Sequence, residues 1–176
     1  DLGKSKEAFN SHLKVININP THSNIYHSLT RLLKDSDPSQ FDTSKLQSIL
    51  NILLEKNDIP HKELFRAFNY LYGKKVNNLK ELDSDCFKKE SFTLFITNTL
   101  LIKALKKMVF RDLKLEELLT KIRANLCGRI AKNTDNINYS ELEFIIALGE
   151  QCFLNEYVYS ITKEENISVN SIISKC

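Results

Sequence analysis

The sequence predicts an all-α fold, and three observations predict it. Apolar residues recur at helical spacing along most of the chain, with few of the strict alternations that mark a half-buried strand. Glycine and proline, the strongest breakers, number only four and three among 176 residues. The breaks that do occur carry helix caps and stops. Together these give about eight helices.

The first helix is expected over residues 4–17, where Ala8, Phe9, Leu13 and Ile16 share a face and Pro20 follows. The second spans 23–34 with Ile25, Tyr26, Leu29, Leu32 and Leu33, and the polar run around Pro38 breaks it. The third spans 43–55, apolar at Leu46, Ile49, Leu50, Leu53 and Leu54, with Asp42 or Thr43 as its cap. Pro60 precedes a fourth over 63–72, and Gly73 suits the residue just past its end. Residues 77–87 read as a loop with at most one helical turn.

Ser91 is a candidate cap for a fifth helix over 92–108, and Asp112 for a sixth over 115–130 with Leu115, Leu118, Leu119, Ile122 and Leu126 on one face. Residues 133–138 are a polar loop. Ser140 and Glu143 then form a capping-box pattern, as do Thr162 and Glu165.

Composition excludes several classes. The hydrophobic fraction of 42% and charged fraction of 27% are those of a globular protein. No apolar run reaches the roughly 18 residues of a membrane span, and the opening Asp1-Leu-Gly-Lys lacks the apolar stretch of a secretory signal, so none is expected within these residues. A net charge of +3 is too mild to imply nucleic acid. Lys103, Lys106 and Lys107 alternate with apolar residues and read as the wet face of an amphipathic helix. Cys86, Cys127, Cys152 and Cys176 are too scattered for a zinc or redox motif, which fits a reducing cytoplasm. His12, His22, His27 and His61 lack the spacing of a metal site, and each reads as a solvated or capping residue. Glu116, Glu117, Glu164 and Glu165 sit early in helices, where they complement the helix dipole. No nucleophile elbow accompanies the serines.

Gln151-Cys152-Phe153-Leu154-Asn155-Glu156-Tyr157-Val158 is the most unusual stretch. At about 100° per residue, Gln151 and Asn155 share a direction with Phe144 and Leu148, and Glu156 shares one with Ile145, Gly149 and Cys152. A surface helix would segregate these types. Gln151, Asn155 and Glu156 are therefore expected to form a polar network between helices, with contact to a substrate as the competing role.

An internal-repeat test is productive at the N-terminus. Gly3, Ala8, His12, Val15 and Pro20 fall on the Gly, Ala, Phe, Ala and Pro positions of the second helix of a tetratricopeptide repeat. Tyr26, Leu29 and Leu33 fall on the aromatic and large apolar positions of the next repeat. Thr30 stands where that repeat prefers Gly, and Asp42 occupies the next small-residue position, so the pattern stops after Leu33. Residues 1–36 are accordingly expected to form a partial tetratricopeptide-like hairpin, packed on a helical linker or bundle over 37–176.

With residues 53–65 (Leu-Leu-Glu-Lys-Asn-Asp-Ile-Pro-His-Lys-Glu-Leu-Phe), the helix over 113–126 and the octapeptide 151–158, the chain resembles the N-terminal and linker region of bacterial proteins in which tetratricopeptide repeats precede an S-adenosylmethionine-dependent methyltransferase domain. The resemblance implies a non-catalytic piece of such a protein. There is no glycine-rich loop after a strand and no βα alternation to hold the cofactor, so S-adenosylmethionine would belong to a domain beyond Cys176. The leading expectation is a cytoplasmic scaffold or interaction module that takes a protein or peptide partner, or a second copy of itself, on a face near Tyr26, Leu29, Leu46 and Leu50. One alternative is a substrate-recognition part of a methyltransferase whose Asn155 or Glu156 reaches the active site; another is a stand-alone helical adaptor. The weaker alternative is a nucleic-acid module using Lys103, Lys106, Lys107, Arg111 and Arg123.

Overall fold

The computed structural model describes residues 2–79, 90–132, 138–155 and 160–174. Among them are nine α-helices, two short 3₁₀ turns and no strand. The chain is all-α. It divides into two compact units, Asp1–Lys75 and Val76–Cys176.

In the first unit, α1 (Leu2–Ile18) and α2 (Ser23–Asp35) form a hairpin. The turn is fastened from within: the buried Tyr26 hydroxyl donates to the Pro20 carbonyl at 2.7 Å, and Thr21 donates to the Asn19 side chain at 2.7 Å. A 3₁₀ turn, Pro38–Gln40, leads to α3 (Thr43–Glu55), whose first turn is capped by Asp42 accepting from the Lys45 amide at 2.9 Å. A second 3₁₀ turn, His61–Leu64, precedes α4 (Phe65–Leu79). Gly73, expected just past a helix end, lies inside α4 instead, and no proline follows it to stop the helix.

The core of this unit joins Leu29 and Leu33 of α2 to Leu46, Ile49, Leu50 and Leu53 of α3, with Leu64 and Phe68. Phe9 stacks on Phe41 with ring centroids 4.5 Å apart. The hairpin expected over 1–36 thus shares one compact unit with α3 and both 3₁₀ turns.

The second unit contains α5 (Glu90–Ile96), α6 (Thr99–Lys107), α7 (Leu113–Lys132), α8 (Tyr139–Leu154) and α9 (Lys163–Ile173). Helix α6 packs on α8, and α7 packs on both α9 and α8. The single helix expected over 92–108 is two. Asn98 has extended backbone and its side chain accepts from the Leu101 amide at 3.1 Å, so a strong N-cap restarts the helix within one apolar run. The capping box of α8 is built by Asn138 and Glu141, not by Ser140 and Glu143. Asp112 caps α7 through the Leu115 amide at 2.9 Å.

Candidate functional site

Among the described residues three places concentrate polar groups among apolar ones: a groove in the first unit and two buried clusters in the second. The groove lies between α1 and α3 and has a volume of 580 Å³. Its floor is Leu13, Ile16, Ile49 and Ile52, and its rim is Asn10, Lys14, Asn17, Ser44, Lys45 and Ser48. The floor residues follow from helix geometry, because Leu13 and Ile16 lie three apart on α1 as do Ile49 and Ile52 on α3. The rim has two exposed lysines, and none of its lining residues is a carboxylate. Such a surface can bury apolar side chains and present cations and amides at the edge.

Tyr26, Leu29, Leu46 and Leu50 are brought together, but as core. All four are buried, Leu29, Leu46 and Leu50 completely. This corrects their expected place on a partner-facing surface. Their helical periodicity marked a face that is covered within the unit. The accessible side of α3 is the one that lines the groove.

In the second unit, Gln151 is completely buried. Its terminal nitrogen lies 2.7 Å from the Met108 carbonyl and 2.8 Å from the Leu105 carbonyl, and the two acceptors fix which way the amide points. Both carbonyls belong to the C-terminal end of α6, where helix geometry leaves acceptors unpaired. Gln151 therefore caps α6 from α8. Asn155 is half-buried at the end of α8, with its backbone N–H donating to the Gln151 carbonyl at 3.0 Å. Glu156 lies outside the described residues.

A second buried cluster is centred on Arg123 of α7. Its Nε donates to Glu165 Oε1 at 2.5 Å and its Nη2 donates to Glu165 Oε2 at 3.2 Å. Nη2 also donates to the Ser160 carbonyl at 2.7 Å, and Nη1 reaches Cys152 Sγ at 3.7 Å. Burial works against the guanidinium charge, but the Glu165 hydrogen bonds, with Cys152 beside them, outweigh it and hold the pKa above its ordinary value. Burial also pushes the Cys127 thiol up, so it stays protonated at neutral pH. Glu165 lies in the first turn of α9, as its sequence position implied, and is buried there. Thr162 caps its backbone amide at 3.1 Å while its carboxylate turns inward to Arg123.

With each of its three nitrogens engaged by protein groups, Arg123 leaves the set of expected phosphate contacts. Lys106 is half-buried, and Lys107 and Arg111 are exposed. Among the described residues no group of three or more His, Cys, Asp and Glu could hold a metal ion, and no helix is long and apolar enough to cross a membrane. No protein-family model, curated protein or solved structure matches the chain.

Sequence reasoning missed both the groove and the Arg123–Glu165 pair. Arg123 sits four residues after Leu119 and three before Leu126, at the margin of the apolar face of α7. That position was a usable signal for burial. Nothing local in the sequence marks which helix supplies its partner.

Proposed function

We propose that the chain is a non-catalytic helical interaction module whose α1–α3 groove binds an acidic, partly apolar peptide segment of a protein partner. The observation that carries this reading is the pairing of half-buried Leu13 and Ile52, over the buried Ile16 and Ile49, with Lys14 and Lys45 on the rim. Apolar side chains of a bound helix or extended segment would bury against the floor, and its carboxylates would lie near the two ammonium groups. Exposed cations of this kind steer and orient a partner more than they add affinity.

The test is a titration of the full chain with a fluorescein-labelled synthetic peptide alternating Leu and Glu, beside its Leu–Lys counterpart. Saturable binding of the Glu peptide that weakens by about tenfold in the Lys14→Glu/Lys45→Glu double variant, and weakens with added salt, supports the reading. Equal binding of both peptides, or binding unaffected by the double variant, overturns it.

The proposal keeps the association with an S-adenosylmethionine-dependent methyltransferase, on the resemblance of residues 53–65 and 151–158. It also keeps a cytoplasmic setting, which the free Cys127 and Cys152 suit. In this reading the chain serves as a scaffold beside the catalytic domain. Calorimetric binding of S-adenosylmethionine by the isolated chain would contradict the non-catalytic assignment.

A further inference from the structure

Helix α9 meets α7 with an unusual face. Glu165, Ser168, Val169 and Ile172 recur at helical spacing, and of the 11 residues of α9 only Glu165 is buried. Ser168, Val169 and Ile172 are half-buried. The bulkier apolar surface points elsewhere, with Ile167 exposed by 70% and Ile173 by 66%. Helices α6 and α7 of the same unit each bury five apolar residues. Docking of α9 therefore draws little on apolar burial. It draws on Arg123, whose fork takes both carboxylate oxygens of Glu165 and whose Nη2 also holds the Ser160 carbonyl ahead of the helix.

Glu165 has a second use that the docked helix leaves unmade. Thr162 and Glu165 stand in the order of a capping box, in which the acid of the first turn reaches back to the backbone N–H of the capping residue. Helix α8 shows the complete device. The Glu141 amide donates to Asn138 Oδ1 at 2.9 Å, the Asn138 N–H donates to Glu141 Oε2 at 3.2 Å, and Glu141 Oε1 is left to face Arg129 at 3.5 Å. In α9 only the first half is made, from the Glu165 N–H to Thr162 Oγ1 at 3.1 Å. Both oxygens that could complete it are on Arg123.

We propose that α9 is a releasable latch with Glu165 as its switch. Docked, the carboxylate pairs with Arg123; released, it closes the capping box on the Thr162 N–H. Opening returns both charges to water and gives Glu165 a local partner, so it avoids the penalty of leaving one charge buried and unpaired. A face of small and polar residues separates from α7 without exposing a large apolar area. The docked state keeps a single register, because a two-pronged pair is made in one geometry or lost. Opening frees the Arg123 guanidinium and the side of α7 that carries it. The latch belongs to the second unit and does not rest on the reading of the α1–α3 groove.

Hydrogen exchange of the full chain, read by mass spectrometry, tests the latch. The amides of α9 are expected to exchange together, at least about tenfold faster than those between Leu118 and Leu126 of α7, and with little response to low urea. That is the behaviour of a local opening that exposes little surface. Arg123→Gln and Glu165→Gln should each speed exchange of α9 by a further factor of about ten or more. Glutamine at 165 still serves the capping box but gives up the charge. Circular dichroism and thermal melting check that each variant is folded, and the comparison of α9 with α7 in the unaltered protein stands without either variant. Exchange of α9 at the rate of α7, through global unfolding alone, overturns the proposal. So does fast exchange confined to the last turn, Ser171 to Ile173, which is fraying of a helix end. Unchanged exchange of α9 in both folded variants overturns it as well.

Discussion

Arg123 and Glu165 stand 42 residues apart in sequence and meet as a two-pronged ion pair, Nε to Oε1 at 2.5 Å and Nη2 to Oε2 at 3.2 Å, that ties α7 to α9. Their side chains are only 15% and 3% exposed. Removing one partner strands the other charge in a desolvated site, which costs about 3–5 kcal/mol. Arg123→Met and Glu165→Leu should each lower stability by that order in urea denaturation. The double variant Arg123→Met/Glu165→Leu should be less destabilised than the sum of the two, because no charge is then left unpaired. Strict additivity in the double-mutant cycle would show that the pair does not act as a unit.

Gln151 makes a comparable link by neutral chemistry. Its amide closes the C-terminal end of α6, a nine-residue helix too short to persist unaided. Gln151→Leu keeps the volume but leaves the Leu105 and Met108 carbonyls without their donor, and should cost about 1–3 kcal/mol. Gln151→Glu should be worse at neutral pH, since a carboxylate would face two carbonyl oxygens. Protonation restores one donor, so the Glu variant should recover part of its deficit between pH 7 and pH 5, whereas the Leu variant should not. Parallel denaturation curves at the two pH values check this.

The periodic helices were legible because their signals are local. Apolar spacing located α2, α3 and α7 to within a residue or two at most ends, and Asp42, Asp112 and Thr162 marked the starts of their helices. Errors arose where two local signals competed. Asn98 interrupts an apolar run that otherwise reads as one helix, and Asn138 with Glu141 lies two residues before an equally good pattern at Ser140 and Glu143.

The site was harder to read because burial and binding have the same signature in a sequence. Tyr26, Leu29, Leu46 and Leu50 form an apolar face in either case, and only tertiary packing shows that neighbouring helices already cover it. The groove depends on α1 and α3, which are brought together only through the packing of the segments between them. No spacing rule reaches that far. Gln151 was conspicuous as a polar residue on an apolar face, yet its acceptors lie on a different helix.

His12 gives a pH-dependent prediction. It is half-buried on α1, and desolvation holds its imidazole below the ordinary value of 6.5. Above that value the ring is neutral in both folded and unfolded chains and contributes no pH dependence. As pH falls through 6.5 the unfolded chain takes up a proton that the folded chain resists, so stability is lost toward the lower folded pKa. His12→Gln should remove this component. The difference in stability between the two proteins should change between pH 7.5 and pH 5, in the direction that favours the variant at low pH. A constant difference across that range would remove His12 as the source.

Gly128 lies inside α7, and a methyl group there would meet nothing within 4 Å. Its helical backbone needs no left-handed conformation, so alanine can take its place without strain. Alanine also reduces the freedom of the unfolded chain. Gly128→Ala should therefore stabilise the protein by about 0.5–1 kcal/mol. The gain should appear as a higher Tm with the α7 contacts of Arg123 unchanged, because Gly128 takes no part in that network. Loss of stability on this substitution would mean that some contact of α7 requires the missing side chain. A Gly128→Ala protein that melts higher but no longer orders Ser160 against Arg123 would locate that contact at the α7–α9 junction.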